Sequence, residues 1–172
     1  PQVRVIHAAD APPVDVYLNN QPFAEGVEFR QATAYEPLAA GEYGVTVFPA
    51  GADPATESPA ILGDLAVADG DVISVVALGA DGVFQIANLE ETRLPPGDRE
   101  GRVTVLNGLP EEGAVDLVDP GLASVEDDSR VLINNIGFGE RVESLVVEEA
   151  DAVSWDVVPH DDLAADPVTS FD

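Results

Sequence analysis

In the stretch Val3-Arg4-Val5-Ile6-His7, and again in Val14-Asp15-Val16 after the next turn, β-branched residues recur at every second position. This period is typical of half-buried β-strands. Both segments return about a hundred residues later, as Val103-Thr104-Val105-Leu106-Asn107 and Val115-Asp116-Leu117, with one residue inserted between them. A pattern that returns at a fixed distance predicts a duplicated structural unit.

The second copy of this repeat stops before the first copy does. Three later matches extend the repeat: Gly26-Val27-Glu28-Phe29 with Asn135-Ile136-Gly137-Phe138, residues 43–49 with 153–159, and Asp53-Pro54-Ala55-Thr56 with Asp166-Pro167-Val168-Thr169. At least two strong strand patterns follow this point in the first copy, and the second copy has no such strands. We therefore expect the second copy to lack its C-terminal strands, and an unpaired sheet edge favours pairing with another strand. That strand could come from another copy or from a part of the same protein outside this sequence.

The arrangement of strands and turns predicts an all-β protein. Strand patterns follow one another at short, regular distances with turn residues between them, which favours β-sandwiches. Asn19-Asn20-Gln21, Asp69-Gly70 and Asp81-Gly82 are hairpin signals. The expected organisation is a first sandwich domain over residues 1–92, a Pro-rich linker over 93–101, and a second, incomplete sandwich over 102–172.

The charge of the chain restricts its partners. There are 33 acidic residues against 7 basic ones, which gives a net charge of −26. A chain this acidic repels nucleic acids and anionic membranes, so neither is an expected partner. No apolar run approaches the roughly 18 residues that a membrane-spanning helix needs, so membrane insertion is not expected either.

The surface chemistry resembles that of proteins from extreme halophiles. Every basic residue is Arg, and Lys and Cys are both missing from the 172 residues. In molar salt the Debye length is only about 3 Å, so an evenly acidic coat repels itself little. We therefore expect a halophilic source, with no disulfide in either domain.

At Val3–Ala8, Ala11-Pro12-Pro13-Val14-Asp15-Val16-Tyr17, Gly26–Phe29 and Leu38-Ala39-Ala40-Gly41-Glu42-Tyr43 the sequence resembles a known family. This is domain-of-unknown-function family 4397, found in bacteria and archaea. The resemblance implies an exported, extracellular or cell-surface, often tandem domain with an immunoglobulin-like or transthyretin-like sandwich. It implies no catalytic residues. The start at Pro1 rather than Met is what we expect of a processed product.

Few side chains indicate chemistry. His7 and His160 are the only imidazoles, and neither stands in a Ser-His-Asp pattern, so an enzyme is not expected. No cofactor is expected, apart from a calcium ion that Asp161, Asp162 and Asp166 could ligate through oxygen. Among the aromatic residues, Trp155 is expected in the core, and only Tyr17, on the polar face of its strand, suggests a sugar-binding surface.

These observations predict a non-enzymatic extracellular or cell-surface structural module. It would assemble into filaments by β-strand complementation or act in adhesion, with other copies of itself or another surface protein as partners. Two segments are candidate donor strands: the N-terminal Pro1, Gln2, Val3, Arg4, Val5 and Ile6, and the C-terminal residues 168–172 with Val168 and Phe171. The alternative is a glycan- or calcium-binding surface module.

Overall fold

The computed structural model describes residues 1–92, 97–98, 100–121, 131–148, 154–160, 162–163 and 165–171. These residues form β-strands and turns, and none of them lies in a helix, which confirms the all-β prediction. The chain separates into two compact units, Pro1–Leu94 and Pro95–Asp172. Residues 93–96 and 99 of the predicted linker lie outside the described part of the chain.

The first unit is a β-sandwich with nine strands. They are β1 Gln2–Ala9, β2 Val14–Leu18, β3 Gln21–Val27, β4 Gln31–Ala32, β5 Glu36–Pro37, β6 Gly41–Pro49, β7 Ile61–Val67, β8 Val72–Ala80 and β9 Val83–Glu90. Sheet A has the order β4-β1-β8-β9, with β5 also paired to β1, and sheet B has the order β3-β2-β6-β7. Buried Val5 and Val75 of sheet A share one core with Val47 and Leu65 of sheet B. The two sheets therefore form the layers of a sandwich.

The second unit repeats part of this arrangement. Its described strands are β10 Glu100–Leu106, β11 Val115–Val118, β12 Val131–Ile136, β13 Arg141–Glu148, β14 Trp155–Pro159 and β15 Thr169–Phe171. Sheet C pairs β10 with β13, and sheet D has the order β12-β11-β14-β15. Val105 and Val142 of sheet C pack against buried Leu117, Ile136 and Val157 of sheet D, so this unit is also built from two layers.

Strand register establishes which elements of the two units correspond. Val14 lies opposite Pro49 in the β2–β6 pair, and Val115 lies opposite Pro159 in the β11–β14 pair. In the same way β10 corresponds to β1, β12 to β3, and β13 to β4 together with β5. The duplication seen in the sequence is therefore also a duplication of strand pairing.

A buried carboxylate holds the same irregularity of strand pairing in both units. The N–H of Gly26 donates to Asp15 Oδ1 at 2.7 Å, and the N–H of Asn135 donates to Asp116 Oδ1 at 2.7 Å. Gly26 and Asn135 both have positive φ, at 63° and 55°, a conformation that Gly and Asn tolerate best. Alternation places Asp15 on the polar face of its strand, yet its side chain is buried because backbone N–H groups satisfy it.

Two of the three predicted hairpin turns are confirmed. Asn19-Asn20 joins β2 to β3 and Asp81-Gly82 joins β8 to β9, and all four residues have positive φ, as such tight turns require. The hairpin predicted at Asp69-Gly70 is wrong. β7 pairs with β6 in sheet B and β8 pairs with β1 in sheet A, so this turn crosses between the layers.

The predicted match of Asp53-Pro54 with Asp166-Pro167 is also wrong. The N–H of Ala60 donates to Val47 O at 2.8 Å just before β7, and the N–H of Val168 donates to Val157 O at 2.7 Å just before β15. Val168 therefore takes the place of Ala60, because the loop after β14 is shorter than the loop after β6. It follows that β15 corresponds to the first residues of β7.

Candidate functional site

Strand β10 pairs on only one edge within the described part of the chain. Its counterpart β1 is bonded to β4 and β5 on one edge and, in parallel, to β8 on the other. β10 is bonded to β13, which takes the place of β4 and β5. No described strand of the second unit takes the place of β8 or β9. The candidate functional site is this open edge, which we call the β10 edge.

Backbone groups of alternate residues of β10 point to this edge. In β1, the N–H of Gln2 donates to Asp71 O and the N–H of Asp10 donates to Gly79 O, so even-numbered residues bond towards β8. In β10 the odd-numbered Asn107 bonds towards β13, since its carbonyl accepts from Gly139 and its N–H donates to Glu140 O. By alternation the even-numbered residues face the open edge, namely Arg102, Thr104 and Leu106.

Side chains of β10 also differ from their counterparts in β1. Val3 and Val5 are 0% and 1% exposed, whereas Val103 and Val105 are only half-buried. The difference follows from what covers them, because β8 lies beside β1 and contributes core side chains such as Ile73. The β10 edge therefore combines unpaired backbone groups with partly exposed apolar side chains, the combination expected of a strand-accepting site.

In the first unit a polar cluster connects β1 to the neighbouring hairpin β8–β9. Arg4 Nε donates to Ser74 Oγ on β8 at 2.7 Å, and Arg4 Nη2 donates to Glu91 Oε1, just after β9, at 2.8 Å. The Arg4 guanidinium also lies 4.7 Å from the centre of the Tyr35 ring. Burial opposes ionisation of Glu91, but hydrogen bonding from Ser74 and the charge of Arg4 outweigh it, so the pKa of Glu91 lies below its ordinary value. In the second unit Thr104 stands where Arg4 stands in the first.

The second unit carries a tryptophan at a position that holds a valine in the first. By strand register Trp155 occupies the position of Val45, and it is paired with Phe171, which occupies the position of Gly63. Trp155 is half-buried and packs against the second core, as its sequence pattern indicated. By register, the Val45–Gly63 pair of the first unit is therefore replaced in the second by a pair of larger residues.

Each histidine ring forms a hydrogen-bond contact within its own unit. His7 is buried, and its Nε2 donates to Pro12 O at 3.0 Å. His160 Nδ1 lies 2.9 Å from Oδ1 of buried Asp116, where the first unit instead uses the N–H of Gly51, which donates to Asp15 Oδ2. Both imidazoles thus hold turns in place.

The proposed calcium ligands are only partly described. Asp161 lies outside the described residues, and Asp162 and Asp166 are exposed. Among described residues, no cluster of three or more His, Cys, Asp or Glu side chains is arranged to hold a metal ion. The described residues also contain no helix that is long and apolar enough to cross a membrane.

The two candidate donor segments lie largely in strands, and Asp172 lies outside the described residues. Residues Pro1 to Ile6 lead into and form most of β1, which is bonded on both edges within the first unit. This segment is therefore already paired. Val168 precedes β15, and Phe171 ends it at the edge of sheet D, where β14 is its only partner among the described strands. The residues of the β10 edge were not among the predicted assembly residues, although the missing copy of β8 was the sequence signal for them.

Comparison with known proteins identifies the family. The family model DUF4397, described as "Domain of unknown function (DUF4397)", matches residues 1–118. The match covers all nine strands of the first unit and continues through β10 and β11 of the second. No curated protein matches the chain. Since the family model covers more than half of the sequence, the chain belongs to the DUF4397 family.

Proposed function

We propose that this chain is a non-enzymatic structural module of the cell exterior whose second unit is completed by strand addition at the β10 edge. The β10 edge carries this proposal. The backbone groups of Arg102, Thr104 and Leu106 have no strand partner in the described part of the chain, while Val103 and Val105 are half-buried. An added strand would form hydrogen bonds with these backbone groups and would cover the two valine side chains.

The energetic gain from such a strand is substantial. Fully burying a Val side chain is worth about 1.5–3 kcal/mol, and each backbone hydrogen bond adds about 1 kcal/mol net. Two Val side chains and several backbone groups lie at this edge, which is enough to offset part of the entropy lost on association. If the donor belongs to a second copy, the contact is head-to-tail and can propagate into a filament.

Assembly is tested by size-exclusion chromatography with light scattering in molar salt, followed by electron microscopy. We expect association that depends on concentration. The matched variant carries a second copy of residues 65–91 after Asp172. Phe171 has the register position of Gly63, so Asp172 corresponds to Asp64 and the added copy continues with residue 65. This added segment should occupy the β10 edge from within the same chain and return the protein to a monomer.

The control for this variant carries the same addition with Ile73→Ser and Val75→Ser in the added copy. Both residues belong to the core of the first unit, so their replacement should prevent docking and leave the association unchanged. A strictly monomeric parent chain with a stable second unit would contradict the proposal. Equal association of the variant and its control would show that assembly uses a different surface.

The proposed setting is the exterior of a halophilic cell. The net charge of −26 with Arg as the only basic residue supports this setting, as does membership of DUF4397. At about 50 mM salt the Debye length exceeds about 10 Å, and self-repulsion should unfold the chain. Circular dichroism during dialysis from molar salt tests this, and native structure retained at low salt would contradict a halophilic source.

A glycan-binding role is the second candidate, because one outer face of the first unit carries a partly exposed row that includes an aromatic and an aliphatic side chain. Tyr17, Thr46 and Leu62 lie side by side across β2, β6 and β7, and Leu62 is 70% exposed. The Tyr17 ring stacks edge-on against Phe48 at 5.6 Å between centroids, which fixes its orientation. A glycan array with Tyr17→Ala as control tests this role, and a melting curve with millimolar calcium tests the cation alternative.

A further inference from the structure

We infer that strand β9 of the first unit pairs with β9 of a second copy of this chain, antiparallel and about a two-fold axis at Ala87. The inference goes beyond the proposed function, because it concerns the first unit and a different sheet edge. β9 is the last strand of sheet A, and no described strand pairs with its outer edge. We call this the β9 edge.

The other edges of the first unit carry features that oppose strand addition. β3 contains Pro22 and Glu25, and register shifts interrupt its pairing with β2. β4 and β5 are only two residues long each. β7 carries Asp64 at its centre, and Asn88 Nδ2 already donates to Asp64 O at 2.8 Å. Proline, irregular pairing, charge and short length are the usual protection of a sheet edge.

The β9 edge lacks this protection. β9 is eight residues long, and its register with β8 continues without a shift. The segment Val83–Leu89 contains neither proline nor a charged residue, and the single charge of the strand is at its last residue, Glu90. In a chain with a net charge of −26, this edge is one that another strand can approach without meeting carboxylates along its length.

Backbone groups of alternate residues point to the β9 edge. The N–H of Glu91 donates to Val72 O at 2.7 Å, so the odd-numbered residues of β9 bond towards β8. By alternation the backbone groups of Phe84, Ile86 and Glu90 point away from β8. The side chains of Phe84 and Ile86 pack against the core, so the odd-numbered side chains of β9 lie on the outer face of sheet A.

The partner is a second copy because β9 complements itself. Among the described strands at the edges of the first unit, β9 is the one that combines length, continuous pairing and an uncharged interior. An antiparallel pair of two copies sets one uncharged run against the other, and no charge on either strand then lies between them. In molar salt the Debye length is about 3 Å, so carboxylates elsewhere on the two copies repel little.

Charge selects the register of this pair. With the two-fold axis at Ile86, Glu91 would lie opposite Asp81 of the second copy, and like charges directly opposite destabilise a strand pair. With the axis at Ala87 this contact is avoided, and an axis further along in either direction pairs fewer residues of β9. Ala87 then faces Ala87 of the second copy in a non-hydrogen-bonded pair, where the two strands lie closest and a small side chain fits.

The strength expected of this contact follows from its size. A single strand pair is a small interface, so the two copies should separate at the low concentrations used in chromatography. The contact becomes effective when copies are already held close together, because a high local concentration then replaces affinity. The β9 edge therefore suits lateral contacts between neighbouring copies.

Cysteine cross-linking tests the pairing, because the chain has no cysteine of its own. The full chain with Ala87→Cys is oxidised in molar salt at high protein concentration. Opposed residues in such a pair have Cα atoms about 4.5 Å apart, which a disulfide can span. Gln85→Cys and Leu89→Cys are the matched controls, because they lie on the same strand and face but oppose each other rather than themselves in the inferred register.

We expect Ala87→Cys to form a disulfide-linked dimer roughly tenfold faster than either control alone, which corresponds to about 1.4 kcal/mol. A mixture of Gln85→Cys and Leu89→Cys chains should cross-link about as fast as Ala87→Cys. Equal rates for the three single variants would overturn the inference. So would fast dimerisation of Gln85→Cys, which is the result expected of parallel pairing.

A second pair of variants tests the backbone hydrogen bonds. In the Ala87→Cys chain, Glu90→Pro removes an N–H that would bond to Phe84 of the second copy, at both ends of the pair. Proline is tolerated at an edge strand where its N–H side faces outward, and Glu90→Ala removes the same charge but keeps the donor. We expect proline to slow cross-linking roughly tenfold and alanine to change it little, since two bonds of about 1 kcal/mol each are lost. Equal rates for these two variants would overturn the inference.

The outcome is separable from that of the proposed function. If the parent chain assembles through the β10 edge but Ala87→Cys does not cross-link faster than its controls, only this inference fails. If Ala87→Cys cross-links as expected while the parent chain is monomeric by chromatography, the inference stands and the proposed function fails.

Discussion

Strands β1 and β10 have nearly the same pattern of residues but different surroundings. β1 is a central strand with partners on both edges, and its valines are fully buried. β10 has a partner on one edge within the described part of the chain, and its valines are half-buried. The comparison teaches that burial is set by the neighbouring strands rather than by the strand's own residues.

The largest expected effect comes from shortening one valine in each strand. Val5→Ala should lower the free energy of unfolding of the first unit by roughly 2 kcal/mol, since two methyl groups leave a packed core. Val105→Ala should cost less than half as much in the second unit, because that side chain still contacts solvent. Urea unfolding in molar salt, followed by hydrogen exchange in each unit, measures both.

Adding the strand donor should sharpen this comparison. In the chain extended by residues 65–91, Val105 should become buried and the cost of Val105→Ala should rise towards that of Val5→Ala. If the two costs are already equal in the parent chain, the half-buried state of Val105 has no energetic consequence, and the comparison of the two strands loses its basis.

How far the sequence predicts this structure depends on the range of the contacts. Local patterns correctly predicted the all-β class, the duplication and the turn at Asn19-Asn20, because alternation and turn chemistry act within a few residues. The turn at Asp69-Gly70 was misassigned because the same residues suit a hairpin and a crossing between sheets. The β10 edge could be predicted only as a missing strand, since its register depends on pairing with β13, distant in the sequence.

A smaller effect is expected from acid at the cluster of Arg4, Ser74 and Glu91. The pKa of Glu91 is lowered in the folded chain from an ordinary value of 4.5, so its stabilising contribution is present above that value and is lost as pH falls through the folded pKa. The gap in stability between the parent chain and Glu91→Gln should therefore be widest near neutral pH and close below about 4.5. Melting temperatures at constant molar salt measure this gap.

The second unit has Thr104 in place of Arg4, so it supplies no such cation to a strand beside β10. Arg4→Thr should accordingly reproduce most of the loss caused by Glu91→Gln, and the double variant should add little. Additive losses would mean that Arg4 and Glu91 stabilise the hairpin β8–β9 independently of each other.

The smallest effect is expected at His7, because the two units use different side chains, His7 and Asn107, to bond the corresponding turn. His7 Nε2 donates to Pro12 O at 3.0 Å, and Asn107 Nδ2 donates to Gly113 O and Ile136 O at 2.9 Å each. Because Asn at this position already bonds the corresponding turn, His7→Asn should change the free energy of unfolding by less than about 1 kcal/mol.

His7→Ala is the matched control, since it leaves Pro12 O without its donor and opens a cavity in a fully buried site. By urea unfolding it should cost about 1 kcal/mol more than His7→Asn in the first unit. His7 Nδ1 is buried and has no hydrogen-bond partner among the described residues, so Asn removes an unsatisfied atom at the same time as it keeps the bond to the turn. Equal losses for His7→Asn and His7→Ala would mean that the ring's volume, rather than its hydrogen bond, holds this turn, and that His7 and Asn107 are not functional equivalents in the repeat.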